Sequence, residues 1–145
     1  MKVAFATTDG LLVDEHFGRA GRFALYDFRA DGYERLPDMV FTEGRDAAVE
    51  ATRGAGLEHD RAVEAKVERL GDCRLVYLTQ VGGPSAARLT RRGVMPVKVP
   101  ERTVIPEAAE RLMEQIRTSP PPWLRRALAD EEARTDNPTG EGAAR

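Results

Sequence analysis

Phe23-Ala24-Leu25-Tyr26-Asp27-Phe28-Arg29, followed by Ala30-Asp31-Gly32 and then by Tyr33 to Phe41, is the stretch on which the fold turns. Two aromatic-rich runs flank an Asp-Gly pair, a dipeptide that accepts the positive-φ positions of a tight hairpin turn. Pro37 has no N–H to give to a neighbouring strand, so the second run belongs at a sheet edge or is bulged there. Upstream, Lys2 to Thr7 reads as a buried strand that ends at the turn signal Asp9-Gly10. Three strands with no helix between them imply an antiparallel meander.

Downstream the pattern changes. From Glu43 to Glu58, Gly44, Gly54 and Gly56 break any periodicity, which predicts a loop with at most one helical turn. A helix follows from about Asp60 to Leu70, with Val63, Val67 and Leu70 on one face and Gly71 as its stop. Leu75 to Thr79 is a buried strand, and Gly83-Pro84 opens a second helix that Gly93 ends. Val94 to Val99 is the last strand, and Pro106 opens a third helix with Ala109, Leu112, Met113 and Ile116 at core spacing. Strands joined through helices run parallel with right-handed crossovers, so the sheet is mixed and five-stranded. This is a ribonuclease H-like α/β arrangement over residues 1–117. Residues 118–129 read as a proline spacer, Ser119-Pro120-Pro121-Pro122, and a short amphipathic helix carrying Trp123, which is expected to cover the core. Residues 130–145 are polar and rich in small residues, which predicts a disordered tail.

Composition narrows the function classes. With 145 residues, 41% of them apolar, the chain can build one core. A net charge of −2 without a basic block argues against general nucleic-acid binding. No segment is apolar for long enough to span a bilayer or serve as a signal peptide, and the lone Cys73 cannot form an internal disulfide. The expectation is a cytoplasmic protein without membrane contact.

Only two histidines occur. His16 lies in Asp14-Glu15-His16-Phe17-Gly18, just after the first strand, where a polar loop can hold a ligand while the strand stays rigid. A His that only bonds its own loop is the plainer alternative. If the first and fourth strands are parallel, Thr7-Thr8-Asp9 and Thr79-Gln80-Val81 open onto one edge, with the His16 loop, the segment Arg19 to Arg22, and His59. Gly82-Gly83 enters the second helix there, with backbone N–H groups that suit an anion or are capped by water. Cys73 begins the fourth strand, roughly 20 Å from that edge at about 3.3 Å per residue, and reads as a structural thiol. A metal-dependent nuclease needs converging carboxylates, yet Tyr77-Leu78-Thr79-Gln80 and the first strand carry none. No Ser or Cys motif for nucleophilic catalysis accompanies either His. Binding without turnover is therefore favoured over a nuclease or hydrolase, and a docking module that never touches metal is the third class.

Val3-Ala4-Phe5-Ala6-Thr7-Thr8-Asp9 through His16-Phe17-Gly18, Cys73-Arg74-Leu75-Val76-Tyr77, Val81-Gly82-Gly83-Pro84-Ser85-Ala86-Ala87-Arg88-Leu89 and Gly93-Val94-Met95-Pro96-Val97-Lys98-Val99 together resemble the dinitrogenase iron-molybdenum cofactor biosynthesis family. The resemblance implies a carrier that accepts an iron-sulfur precursor or the finished iron-molybdenum cofactor from a donor and passes it to an acceptor scaffold, as a monomer or weak homodimer. It also implies that His16 ligates or steers the cluster, with Asp14 or Glu15 holding the second ring nitrogen. Around an anionic cluster, Arg19, Arg22 and the Gly82 and Gly83 amides make electrostatic sense. No family role carries onto His59. Residues 43–58 either close over the edge, bringing His59 toward His16, or leave His59 as a helix cap.

Overall fold

Strand β1, Lys2–Ala6, forms the middle of the sheet because its neighbours bury it on both faces. The computed structural model describes residues 1–41 and 56–136. In chain order these contain β1, β2 (Leu12–Val13), a 3-10 turn (Phe17–Arg19), β3 (Arg22–Arg29), β4 (Gly32–Val40), α1 (Gly56–Arg69), β5 (Cys73–Leu78), α2 (Gly83–Arg91), β6 (Met95–Lys98), β7 (Thr103–Val104), α3 (Ile105–Thr118) and α4 (Pro122–Asp136). The main sheet has the order β4-β3-β1-β5-β6. β3 is antiparallel to β1 and to β4, whereas β5 runs parallel to β1 and to β6. The expected meander with two added parallel strands is thus present. Pro37 satisfies both options: β4 is an edge strand, and the β3–β4 register shifts between Phe23 and Leu25.

Alternation along β1 sorts the two cores. Val3 and Phe5 face α3 and α4, in a cluster with Tyr26, Leu75, Ile105, Leu112, Met113 and Leu124. Ala4 and Ala6 face α1 and α2, where Phe17, Phe23, Val63, Val67, Leu70 and Leu89 pack. Alanines on this side leave room for the rings of Phe17 and Phe23, whose centroids lie 6.2 Å apart. Trp123 packs half-buried against the first cluster, as its position after the proline spacer suggests. Helix α2 closes in a Schellman motif: Gly93, at φ +80, donates to Thr90 O and Val94 donates to Leu89 O.

Two expectations need correction and one element is new. Helix α1 begins at Gly56, so residues 56–58 belong to it and not to the preceding loop; the rest of that loop, and the closure expected of it, lie outside the described residues. Helix α4 continues to Asp136, so the boundary at residue 129 is wrong for the first part of the tail. Its Glu, Ala and Arg residues are good helix formers, and Arg74 anchors it through Asp130 at 3.0 Å. Finally, the two-residue strands β2 and β7 pair as a separate ribbon, too short to show any periodicity in sequence.

Candidate functional site

The C-terminal ends of β1, β5 and β6 and the start of β3 meet at one edge, which follows from the pairing of Ala6 with Phe23 and of Leu78 with Lys98. The chain leaving β1 is locked by its own carboxylates. Asp9 accepts the N–H groups of Leu11 and Leu12 at 2.9 and 3.0 Å, and these bonds hold its carboxyl below the usual range. Asp14 accepts the Thr8 N–H at 2.9 Å and its hydroxyl at 2.6 Å. Both Asp14 oxygens thus accept from Thr8.

The next residues lie along the end of β5. Glu15 O accepts the Thr79 N–H at 3.1 Å, Phe17 donates to Gln80 O at 2.9 Å, and His16 pairs with Gln80 as an isolated parallel bridge. His16 has extended backbone angles and an exposed side chain, and its carbonyl accepts the N–H groups of Arg19 and Ala20 at 3.1 and 3.0 Å. The imidazole therefore stands on a short 3-10 turn that is fixed to a central strand. Beside the bridge, the buried Thr79 hydroxyl has no partner among the described residues.

The other expected residues fall as follows. Arg19 is exposed in the 3-10 turn. Arg22 is at the same edge, but its guanidinium pairs with Asp38 at 3.0 Å. Gly82 is the N-cap of α2 without a side-chain cap, and Pro84 brings no N–H, so the helix entrance offers the exposed backbone of Gly83. Since Gln80 is two residues before Gly82, the bridge sets His16 and this helix entrance within roughly 10 Å. A Cβ added at Gly83 would meet nothing within 4 Å, so the space above it is open. His59 is in the first turn of α1, two turns before Lys66, and its side chain is outside the described residues. Cys73 starts β5 at the opposite edge, where burial pushes its thiol up to about 12.

Three cations escaped the sequence reading. Lys98 ends β6 at this edge and is exposed. Arg102 donates its N–H to Val13 O at 2.8 Å from a left-handed backbone, φ 69, which is strained for a residue with a Cβ. Lys66 is 1% exposed, yet its ammonium donates to Phe17 O at 3.1 Å and Gly18 O at 2.9 Å. Burial lowers it to about 8 against the opposing charge of Glu15. The available signal was a Lys at core spacing, between Val63 and Leu70 on the apolar stripe of α1. Among the described residues no group of three or more His, Cys, Asp or Glu gathers to hold a metal ion, and no helix is long and apolar enough to cross a membrane.

An exposed imidazole, an exposed helix entrance and the exposed cations Arg19 and Lys98 share one edge of the mixed sheet of an α/β protein. The family described as dinitrogenase iron-molybdenum cofactor matches residues 1–115, and the chain belongs to it. Protein NifX of Sinorhizobium fredii is 33% identical over 89% of this chain and 78% of its own length. Protein NifX of Herbaspirillum seropedicae is 33% identical over 94% of this chain and 88% of its own. Protein NifY of Azotobacter vinelandii is 30% identical over 90% of this chain, which spans 49% of that longer protein. The solved structure of PH0822 shares the fold, with a TM-score of 0.57 at 16% identity over 79% of this chain and 91% of that one. The family expected from the sequence is borne out.

Proposed function

We propose that this chain is a non-catalytic carrier in nitrogenase cofactor assembly, binding an iron-sulfur precursor or the iron-molybdenum cofactor as cargo at the His16 edge. The observation that carries this reading is the exposed His16 on a strand-bridged turn, within the segment matched by the cofactor family. Its main-sheet order, with three antiparallel strands and two parallel ones added beyond β1, also favours a ribonuclease H-like assignment.

A neutral imidazole is a good iron ligand. Arg19, Lys98 and the Gly83 amide would offset the negative charge of the cargo without bonding to iron. With Cys73 buried at the far edge, the site offers no thiolate, so cargo held by His16 and electrostatics can leave without breaking an iron–sulfur bond to protein. That suits transfer between a donor and an acceptor assembly protein, by a monomer or a weak homodimer. The test is to mix apo-protein with isolated iron-molybdenum cofactor under anaerobic conditions and follow cluster absorption through gel filtration. Co-elution that is lost in His16→Ala supports the carrier. Free cofactor eluting apart from wild type removes it.

A further inference from the structure

A lysine buried to 1% exposure beneath the loop that carries His16 has to be accounted for, because an ammonium is costly to remove from water unless it is hydrogen-bonded. Its position on α1 lies on the stripe of Val63, Val67 and Leu70, where a leucine would serve packing alone. Lys66 instead reaches across to the 3-10 turn and donates to two successive carbonyls, Phe17 O and Gly18 O, with the Phe17 ring centroid 5.8 Å from Nζ. The His16 carbonyl receives the N–H groups of Arg19 and Ala20 in the same turn. The turn is therefore pinned three times: His16 to Gln80 on the sheet, His16 to its own amides, and Phe17-Gly18 to α1.

We propose that Lys66 is the positioning residue of the cargo edge: by holding the Phe17 and Gly18 carbonyls it sets the turn that presents His16. The inference rests on the carrier reading for its ligand, but the turn itself is set in the apo-protein. Removing the ammonium leaves the Gly18 carbonyl without its donor under a packed helix and the Phe17 carbonyl with only the longer bond from the Ala20 N–H at 3.3 Å, and the turn relaxes to recover partners. The His16 ring then samples several directions and binds less well. A lysine that only stabilised the fold would weaken the whole domain and not this turn.

The experiment compares wild type, Lys66→Met and Lys66→Arg as full chains. In the apo-proteins, hydrogen exchange at the Arg19 and Ala20 amides should quicken about tenfold in Lys66→Met while β1 and β5 amides keep their protection. Lys66→Arg, which keeps donors and charge, should restore much of it. If Lys66→Met does not fold, Lys66→Gln takes its place, since its shorter amide cannot bond both carbonyls. Titration with isolated iron-molybdenum cofactor then asks how the two residues combine: Lys66→Met should lower affinity in the wild-type background and change little in His16→Ala. Unchanged exchange in the turn overturns the inference, as does an equal loss of affinity in both backgrounds. Wild type that binds no cofactor, with exchange altered as expected, removes the carrier reading and leaves Lys66 as the pin of the turn.

Discussion

His16 and Gln80 are joined as a parallel bridge beyond the named strands, so the imidazole is anchored to the end of β5 through its own backbone while its side chain stays in solvent. Backbone anchoring separates the two roles of the residue. His16→Ala should keep the bridge, the Phe17 to Gln80 bond and the unfolding midpoint, within about 0.5 kcal/mol as for most exposed substitutions. Affinity for isolated iron-molybdenum cofactor should fall about tenfold or more, ~1.4 kcal/mol. Anaerobic titration alongside urea unfolding checks both. Equal affinity in mutant and wild type would remove His16 from the site.

Cys73 gives the converse expectation. It is buried at the opposite edge from His16, beside Lys2 in the sheet, and its thiol is pushed up to about 12. Cys73→Ala should leave cofactor affinity unchanged and cost about 1 kcal/mol of stability for the small void it opens. Disulfide exchange with an aromatic reagent near neutral pH should wait for unfolding, since almost no thiolate exists in the folded chain. Rapid labelling of the native protein would show the thiol to be open.

Much of this was legible in the sequence, for a reason that can be traced to particular residues. Gly83-Pro84 and Gly93 act through local backbone preference, which is read without knowing the fold, whereas the hairpin is found where Asp31-Gly32 predicts it but turns on Ala30-Asp31, with Gly32 already in β4 and at no positive φ. The placing of His16 with Gly82 needed only the parallel order of β1 and β5, which the intervening helix imposes. Lys66 was missed because its role depends on where Phe17 and Gly18 lie, 49 and 48 residues away. That Asp14 accepts both the N–H and the hydroxyl of Thr8, six residues earlier, could not be read from the sequence around His16. The residues 130–136 were read as a tail because polarity was weighed above helix propensity and the ion pair of Asp130 with Arg74 was out of sight.

Lys66 should also leave a signature in the pH dependence of stability. Its ordinary value of 10.5 in the unfolded chain falls to about 8 when folded, because burial disfavours the ammonium. Between those values the unfolded chain binds more protons, so this residue makes stability rise with pH, by roughly 3 kcal/mol over the whole window. Cys73 acts in the opposite sense above its ordinary 9.0, because the folded chain keeps that proton up to about 12. The comparison is best made in Cys73→Ala, with urea unfolding at about pH 7.5 and about pH 10. Stability should rise more in that background than in Cys73→Ala with Lys66→Met. Parallel slopes would mean that Lys66 is not held as a buried cation.

Gly82 allows the electrostatics of the edge to be tested with effects of opposite sign. It is the N-cap of α2 with ordinary extended angles, φ −72 and ψ 156, and a Cβ there would come no closer than 4.0 Å to Pro84. Gly82→Asp therefore fits without strain, and its carboxylate can accept the Ser85 N–H and face the positive end of the helix. Stability should increase by a few tenths to about 1 kcal/mol. The same carboxylate would stand where an anionic cluster is expected to sit, so cofactor affinity should fall, and the loss should shrink as salt screens the repulsion. Gly82→Asn, an equally good cap without charge, should stabilise α2 similarly while sparing affinity. If both variants bind the cofactor as wild type does, the α2 entrance does not belong to the site; if both lose it alike, the side chain obstructs and charge is not the cause.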